Sequence, residues 1–260
     1  MALSERTLKD MCRGGLTVGH SIFEFATPGI GHILKNAGCD FVFFDMEHTG
    51  FSYETVKSAV RYMEAARLPM LVRTPSKASH HIARVLDMGA EGIMLPMVNN
   101  GEEARAIVDA VKYAPDGNRG VALGIAHDNY AGGPVLDKLI AANAKTTVFA
   151  LIETAEGAEK VNEIAATPGI DCLWVGHFDL SASLGIPGEF EHPRFKEAIA
   201  RTIEAARSHG KATGRLVSTV EEGVAFNAEG FDFICYSGDV WVLAKALGDA
   251  VAGIREGSRG

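Results

Sequence analysis

The chain has 260 residues, 47% of them apolar and 22% charged, enough to bury roughly 70–75% of the surface that its unfolded form exposes, so disorder and fibrous structure are excluded. A formal net charge of −8, from 25 Lys and Arg against 33 Asp and Glu, leaves no basic footprint for a nucleic-acid backbone and would repel an anionic membrane. Four scattered cysteines, a charged amino-terminal stretch without an apolar run, and no membrane-length apolar segment predict a reducing, cytoplasmic setting.

Short apolar runs of strand length alternate with segments of helical period from end to end. Strands are predicted at 16–23 (LTVGHSIF) and 41–46 (FVFFDM), followed by a helix over 52–67 with Ser52 as its cap and Val56, Ala59, Val60 and Met63 on one face. A strand at 70–74 (MLVRT), a helix over 78–88 closed by Gly89, a strand at 92–98 (GIMLPMV) and a helix over 101–113 come next. The rhythm then breaks over 115–145, where Asp116-Gly117 and Gly132-Gly133-Pro134 mark turns and 135–143 a short helix. An insertion of that size implies a lid, a binding loop or a subunit contact. The alternation resumes with strands at 147–153 (TVFALIE), 171–176 (DCLWVG), 211–217 (KATGRLV) and 231–236 (FDFICY), separated by helices over 155–166, 193–208 and 219–228. Continuously apolar strands are those buried on both faces of a parallel sheet. Most of the eight runs fit that description, and eight strands alternating with about eight helices predict an α/β fold of the (β/α)8 barrel type in one domain spanning 1–260, ahead of an open doubly wound sheet.

In such a barrel the site lies at the carboxyl ends of the strands. The second strand ends in Asp45-Met46-Glu47-His48, the third in Arg73, the fifth in Glu153, and Asp179 follows the sixth. Glu153 and Asp179 are oxygen donors suited to a hard divalent cation, which could act as a Lewis acid on a chelating 2-oxo acid; equally, each could cap the helix after it. Arg73 needs an anion, met either by a substrate carboxylate or enolate or by a salt bridge to Asp45 or Glu47. A hydrogen bond from His48 to Asp45 would make a general base of the histidine, the alternative being a rim histidine without a role. His20, His32, His80, His81, His127 and His192 are expected on surfaces, at caps or in packing. Schiff-base chemistry is disfavoured because Lys145 and Lys211 sit at strand starts and only Lys77 follows a strand exit. No nucleophile elbow, P-loop or dinucleotide fingerprint is present.

The strings FDMEH (44–48), LVR (71–73), MLPMVN (94–99), NRGV (118–121), LIET (151–154) and VGHFDLSASLG (175–185) occur in an order and spacing that resembles the HpcH/HpaI family of metal-dependent class II aldolases, from about residue 15 to 247. The resemblance implies a barrel whose last helix is often exchanged between subunits, in a homo-oligomer, commonly a hexamer, with a trimer also considered. It implies Glu153 and Asp179 as ligands of Mg²⁺, Mn²⁺ or Co²⁺, Arg73 on the pyruvyl group, His48 as acid and base with Asp45 orienting it, and Asp87 reaching a neighbouring subunit's site. Two departures stand out: the family's Q-x-E reads Leu151-Ile152-Glu153, and its G-P-A-D reads Gly176-His177-Phe178-Asp179. With Leu216, Leu151, Gly176, His177 and Phe178 are therefore expected to shape an altered substrate pocket.

The expected activity is reversible cleavage of a 4-hydroxy-2-oxo acid into pyruvate, or a related 2-oxo acid, and an aldehyde. The alternatives are oxaloacetate decarboxylation, lysis of a CoA thioester, which the lack of a basic patch disfavours, and a binding protein without catalysis.

Overall fold

In a computed structural model, which describes residues 6–258, all eight predicted strands form and close into one parallel barrel in sequential order. They are β1 (Thr17–Ile22), β2 (Phe41–Asp45), β3 (Met70–Arg73), β4 (Gly92–Leu95), β5 (Thr147–Ile152), β6 (Cys172–Val175), β7 (Ala212–Val217) and β8 (Phe233–Gly238). Closure is made by β1 against β8, with Thr17 opposite Phe233 and Val18 opposite Ile234. The helices are α1 (Leu8–Met11), α2 (Ile30–Asn36), α3 (Tyr53–Ala65), α4 (Ser79–Asp87), α5 (Gly101–Val111), α6 (Val135–Lys145), α7 (Ala155–Glu159), α8 (Val161–Ala165), α9 (His177–Ser183), α10 (Pro193–Ser208), α11 (Val220–Glu229) and α12 (Asp239–Gly257). Among the described residues no helix is long and apolar enough to cross a membrane.

The period-two alternation of a strand decides what the barrel encloses. Along β2, Phe41, Phe43 and Asp45 point inward in turn, so two apolar levels carry a charged rim. Phe233 packs edge-on against both Phe41 and Phe149, with centroids 5.3 Å apart in each pair. Phe43 stacks on Trp174 at 5.9 Å. Trp174 fits because residue 214 is glycine: a Cβ there would collide with the indole ring. Outward residues such as Val42, Phe44, Val72 and Ile93 pack with the helices in a second, larger core.

Six helices depart from the expected pattern, the four-residue α1 among them. The helix expected over 155–166 is broken at Lys160 into α7 and α8. Neither α2, seven residues long with no side-chain cap, nor α9, which starts within the rim, carries a strong start signal. α12 was not delimited because Gly248 and Gly253 interrupt its period. Ser52 caps α3 as expected, its side chain accepting from the Thr55 N–H. Residues 115–145 run as loop, a short 3-10 turn and α6, which buries none of its residues.

Candidate active site

A cavity of about 320 Å³ opens at the carboxyl ends of the strands and is lined by His48, Arg73, Leu151, Glu153, Gly176, His177, Phe178, Asp179 and Leu216 together with Phe23, Phe43, Met94, Trp174, Val175 and Trp241. Nine of the residues singled out in the sequence thus meet in one place. The register explains it: Asp45 pairs with Arg73 across β2 and β3, and Leu151 with Trp174 across β5 and β6.

Asp45 is wholly buried and Arg73 nearly so. The guanidinium donates from Nε to Oδ1 at 2.8 Å and from Nη2 to Oδ2 at 2.7 Å. This two-pronged pair fixes the arginine plane. Asp45 also accepts from the backbone N–H groups of Glu47 and His48 at 2.9 and 3.4 Å. Its capacity is therefore spent on Arg73 and the turn, and the expected hydrogen bond from Asp45 to the His48 ring does not form. Neutralising a buried guanidinium takes precedence over a rim imidazole. The His48 ring stands largely exposed, with Nε2 at 3.9 Å from Glu47 Oε2.

Glu47, expected from the sequence only as an alternative salt-bridge partner of Arg73, belongs to this cluster. Its Oε2 lies 3.2 Å from Arg73 Nη1, yet that buried oxygen accepts no hydrogen bond. Burial raises the Glu47 carboxyl above the usual range, with Arg73 pulling it back. Glu153 accepts from the Met97 N–H at 2.7 Å through Oε1. Burial lifts its carboxyl to about 7, against the Met97 hydrogen bond and with help from Glu47 and Asp179. A Cβ at Gly176 would come within 2.6 Å of Glu153 Oε2, so glycine there keeps the carboxylate reachable. Asp179, in the first turn of α9, lies at the exposed edge.

Among the described residues no group of three or more His, Cys, Asp or Glu is already arranged as a metal cage. The donors present nonetheless fit a hard cation. Two carboxylates, Glu153 and Asp179, face one cavity, and the charges of Glu47 and Asp179 raise the proton affinity of Glu153, a repulsion that a divalent ion would relieve. Of the nine histidines only His48 and His177 line the cavity. Burial, with Arg215 behind it, lowers His177 to about 4, so it is neutral near pH 7. The Phe178 and Phe190 rings pack against it. Among the described residues no lysine lines the cavity; Lys77 is held by the Met97 carbonyl and Glu103. Asp87 lies outside the cavity and pairs with Arg119. The aromatic lining Phe23, Phe43, Trp174 and Trp241 escaped sequence reasoning because it comes from the residue after β1, from strand interiors and from α12, whose Trp241 meets Phe23 at 4.9 Å.

The profile of the HpcH/HpaI aldolase/citrate lyase family matches residues 24–246. The chain belongs to that family. It is 38% identical to the hydroxypyruvate/pyruvate aldolase of Paraburkholderia phytofirmans, over 85% of this chain and 87% of that protein. It is 32% identical to the 5-keto-4-deoxy-D-glucarate aldolase of Shigella boydii, over 85% of each. The crystal structure of an HpcH/HpaI aldolase/citrate lyase family protein from Burkholderia cenocepacia superposes with a TM-score of 0.88 at 33% identity, over 95% of this chain and 98% of that one. This HpcH/HpaI member is accordingly a carbon–carbon lyase.

Proposed function

We propose that the enzyme cleaves 4-hydroxy-2-oxo acids reversibly into pyruvate, or a closely related 2-oxo acid, and an aldehyde. The observation that carries this reading is the cavity in which Arg73, oriented by Asp45, faces the paired carboxylates Glu153 and Asp179. Relatives named for pyruvate and hydroxypyruvate support the donor class.

Glu153 and Asp179 would hold a divalent cation, Mg²⁺, Mn²⁺ or Co²⁺, which when bound supplies Lewis acidity toward the 2-oxo group. Arg73 binds the negative charge of the donor and meets the charge that builds on its oxygen as the C3–C4 bond breaks. His48, exposed at the rim, takes the proton of the 4-hydroxyl in cleavage and returns it in synthesis. Glu47 holds Arg73 from its second side. Leu151 and Leu216 give the donor end apolar walls, and Phe23, Phe178 and Trp241 surround the acceptor end, which favours aldehydes with apolar bodies.

The reading includes a homo-oligomer, hexameric or trimeric, joined through α12, whose residues from Trp241 to Gly257 are all exposed. It also includes Asp87 acting at a neighbour's cavity, and a cytoplasmic location, consistent with four free thiols.

The deciding experiment is cleavage of 4-hydroxy-2-oxo acids with and without EDTA. Activity lost on chelation and restored by Mg²⁺, Mn²⁺ or Co²⁺ in the parent enzyme, but not restored in Glu153→Gln, is the expected result. Full activity in EDTA, or covalent trapping of pyruvate by borohydride, would overturn it.

A further inference from the structure

A second and larger cavity, about 550 Å³, lies outside the barrel between α10 and α11. Its volume is in the range of small-molecule sites. Gly214 and Leu216 turn toward the barrel axis, so the residue between them on β7, Arg215, turns outward into this groove. Arg215 is only 4% exposed. Its guanidinium lies over the Phe226 ring, 3.6 Å from the centroid, with Phe231 at 5.6 Å.

Among the described residues no carboxylate forms an ion pair with Arg215, and its buried Nε has no hydrogen-bond partner. Glu222 and Glu229 act on it only at longer range. Burial pulls the group down to about 10, which leaves it charged at neutral pH. Of the other charges that line the groove, Lys196 pairs with Glu191 at 2.6 Å and Arg207 lies 3.8 Å from Glu204, while Glu229 forms no ion pair among the described residues. A buried guanidinium without a counter-ion is costly, and its fork matches a carboxylate. The walls around it, Phe195, Ile199, Ile203 and Phe226, are apolar.

We propose that this groove is a second ligand site, for a small carboxylate with an apolar body, in which Arg215 takes the carboxylate and the phenylalanine and isoleucine walls take the body. It stands back to back with the active site: Phe190, at the groove, packs edge-on against His177, at the cavity, with centroids 5.3 Å apart.

The test is fluorine NMR of 4-(trifluoromethyl)phenylacetate added to the full-length protein. Saturable binding is expected that persists in excess pyruvate with Mg²⁺ and in Arg73→Ala. It should weaken at least about tenfold, the value of one charge-assisted contact, in Arg215→Leu and in Ile203→Trp. The second variant fills the groove while keeping the arginine, and so decides the matter if the first fails to fold. The uncharged analogue 4-(trifluoromethyl)toluene should bind at least about tenfold more weakly than the acid. The proposal is overturned if no saturable binding occurs, as when another copy of the chain seals the groove, if pyruvate displaces the probe, or if both groove variants bind it as the parent does. Equal binding of the uncharged analogue overturns it as well.

Discussion

Asp45 and Arg73 are stable in the barrel mouth only as a pair. Removing one partner leaves the other charged and buried, which costs about 3–5 kcal/mol. Urea melts of Asp45→Ala and of Arg73→Ala should each show a loss of that size, and the double variant should lose less than the sum, because the pair is a single interaction. His48 is a different case. Its ring is largely exposed and only approaches Glu47 Oε2, at 3.9 Å without a hydrogen bond, so His48→Ala should leave stability within about 0.5 kcal/mol. Aldol cleavage should nevertheless fall roughly 10²–10⁴-fold through loss of the proton acceptor. Decarboxylation of oxaloacetate, which passes through the same enolate but has no hydroxyl to deprotonate, should stay within about threefold of the parent rate. Parallel loss of both activities would remove His48 from the role of base.

At the scale of elements, what the sequence revealed followed from local chemistry. Most strands are apolar on both faces, so most could be recognised alone, and a closed parallel barrel brings every carboxyl end to one rim. Asp45, Arg73, Glu153 and Asp179 were therefore legible as a site from four separate segments. Arg215 was not, since an arginine in a strand reads as solvated unless the helices above it are known to bury it. The Asp45–His48 pair failed because spacing in sequence does not reveal that Arg73, far along the chain, takes both oxygens first. The insertion at 115–145 shows a similar competition. Lys112, after α5, donates to the carbonyls of Asn143 and Thr146 at 2.7 Å each, and Asn143 in turn clamps the backbone of Tyr113. These contacts bring α6 back to β5. Burial lowers the Lys112 ammonium to about 8 from 10.5. Between those values the unfolded chain holds more protons than the folded one, so this lysine makes stability rise with pH across that window, from a full penalty at neutral pH. Lys112→Met should flatten that rise, read as the slope of unfolding free energy against pH between about 8 and 10.5. An unchanged slope would mean that Lys112 is solvated in solution.

For the whole molecule, the last helix stands apart from the other outer helices. Asp239 ties the start of α12 to the barrel by accepting from the N–H groups of Phe23, Glu24 and Phe25, and beyond it the helix leaves the surface. Leu243, Leu247, Val251 and Ile254 follow one another at helical spacing and are 41–70% exposed. On the barrel itself Val220 and Val224 of α11 and Ile33 of α2 are also exposed, flanking the space that an eighth outer helix would occupy. Covering the remaining surface of each α12 side chain contributes on the order of 1–2 kcal/mol. One helix would barely offset the roughly 4–15 kcal/mol cost of association, whereas mutual exchange doubles the gain. Leu247→Asp combined with Val251→Asp should therefore convert the assembly to monomers in sedimentation velocity. Turnover should fall with it, because Asp87, held by Arg119 at the edge of its own barrel, would no longer reach a neighbour's cavity. Asp87→Asn separates the two effects: it should lower turnover while leaving the sedimentation coefficient unchanged. A parent protein that sediments as a monomer would overturn the exchange, and an Asp87→Asn variant with full turnover would confine each active site to its own chain.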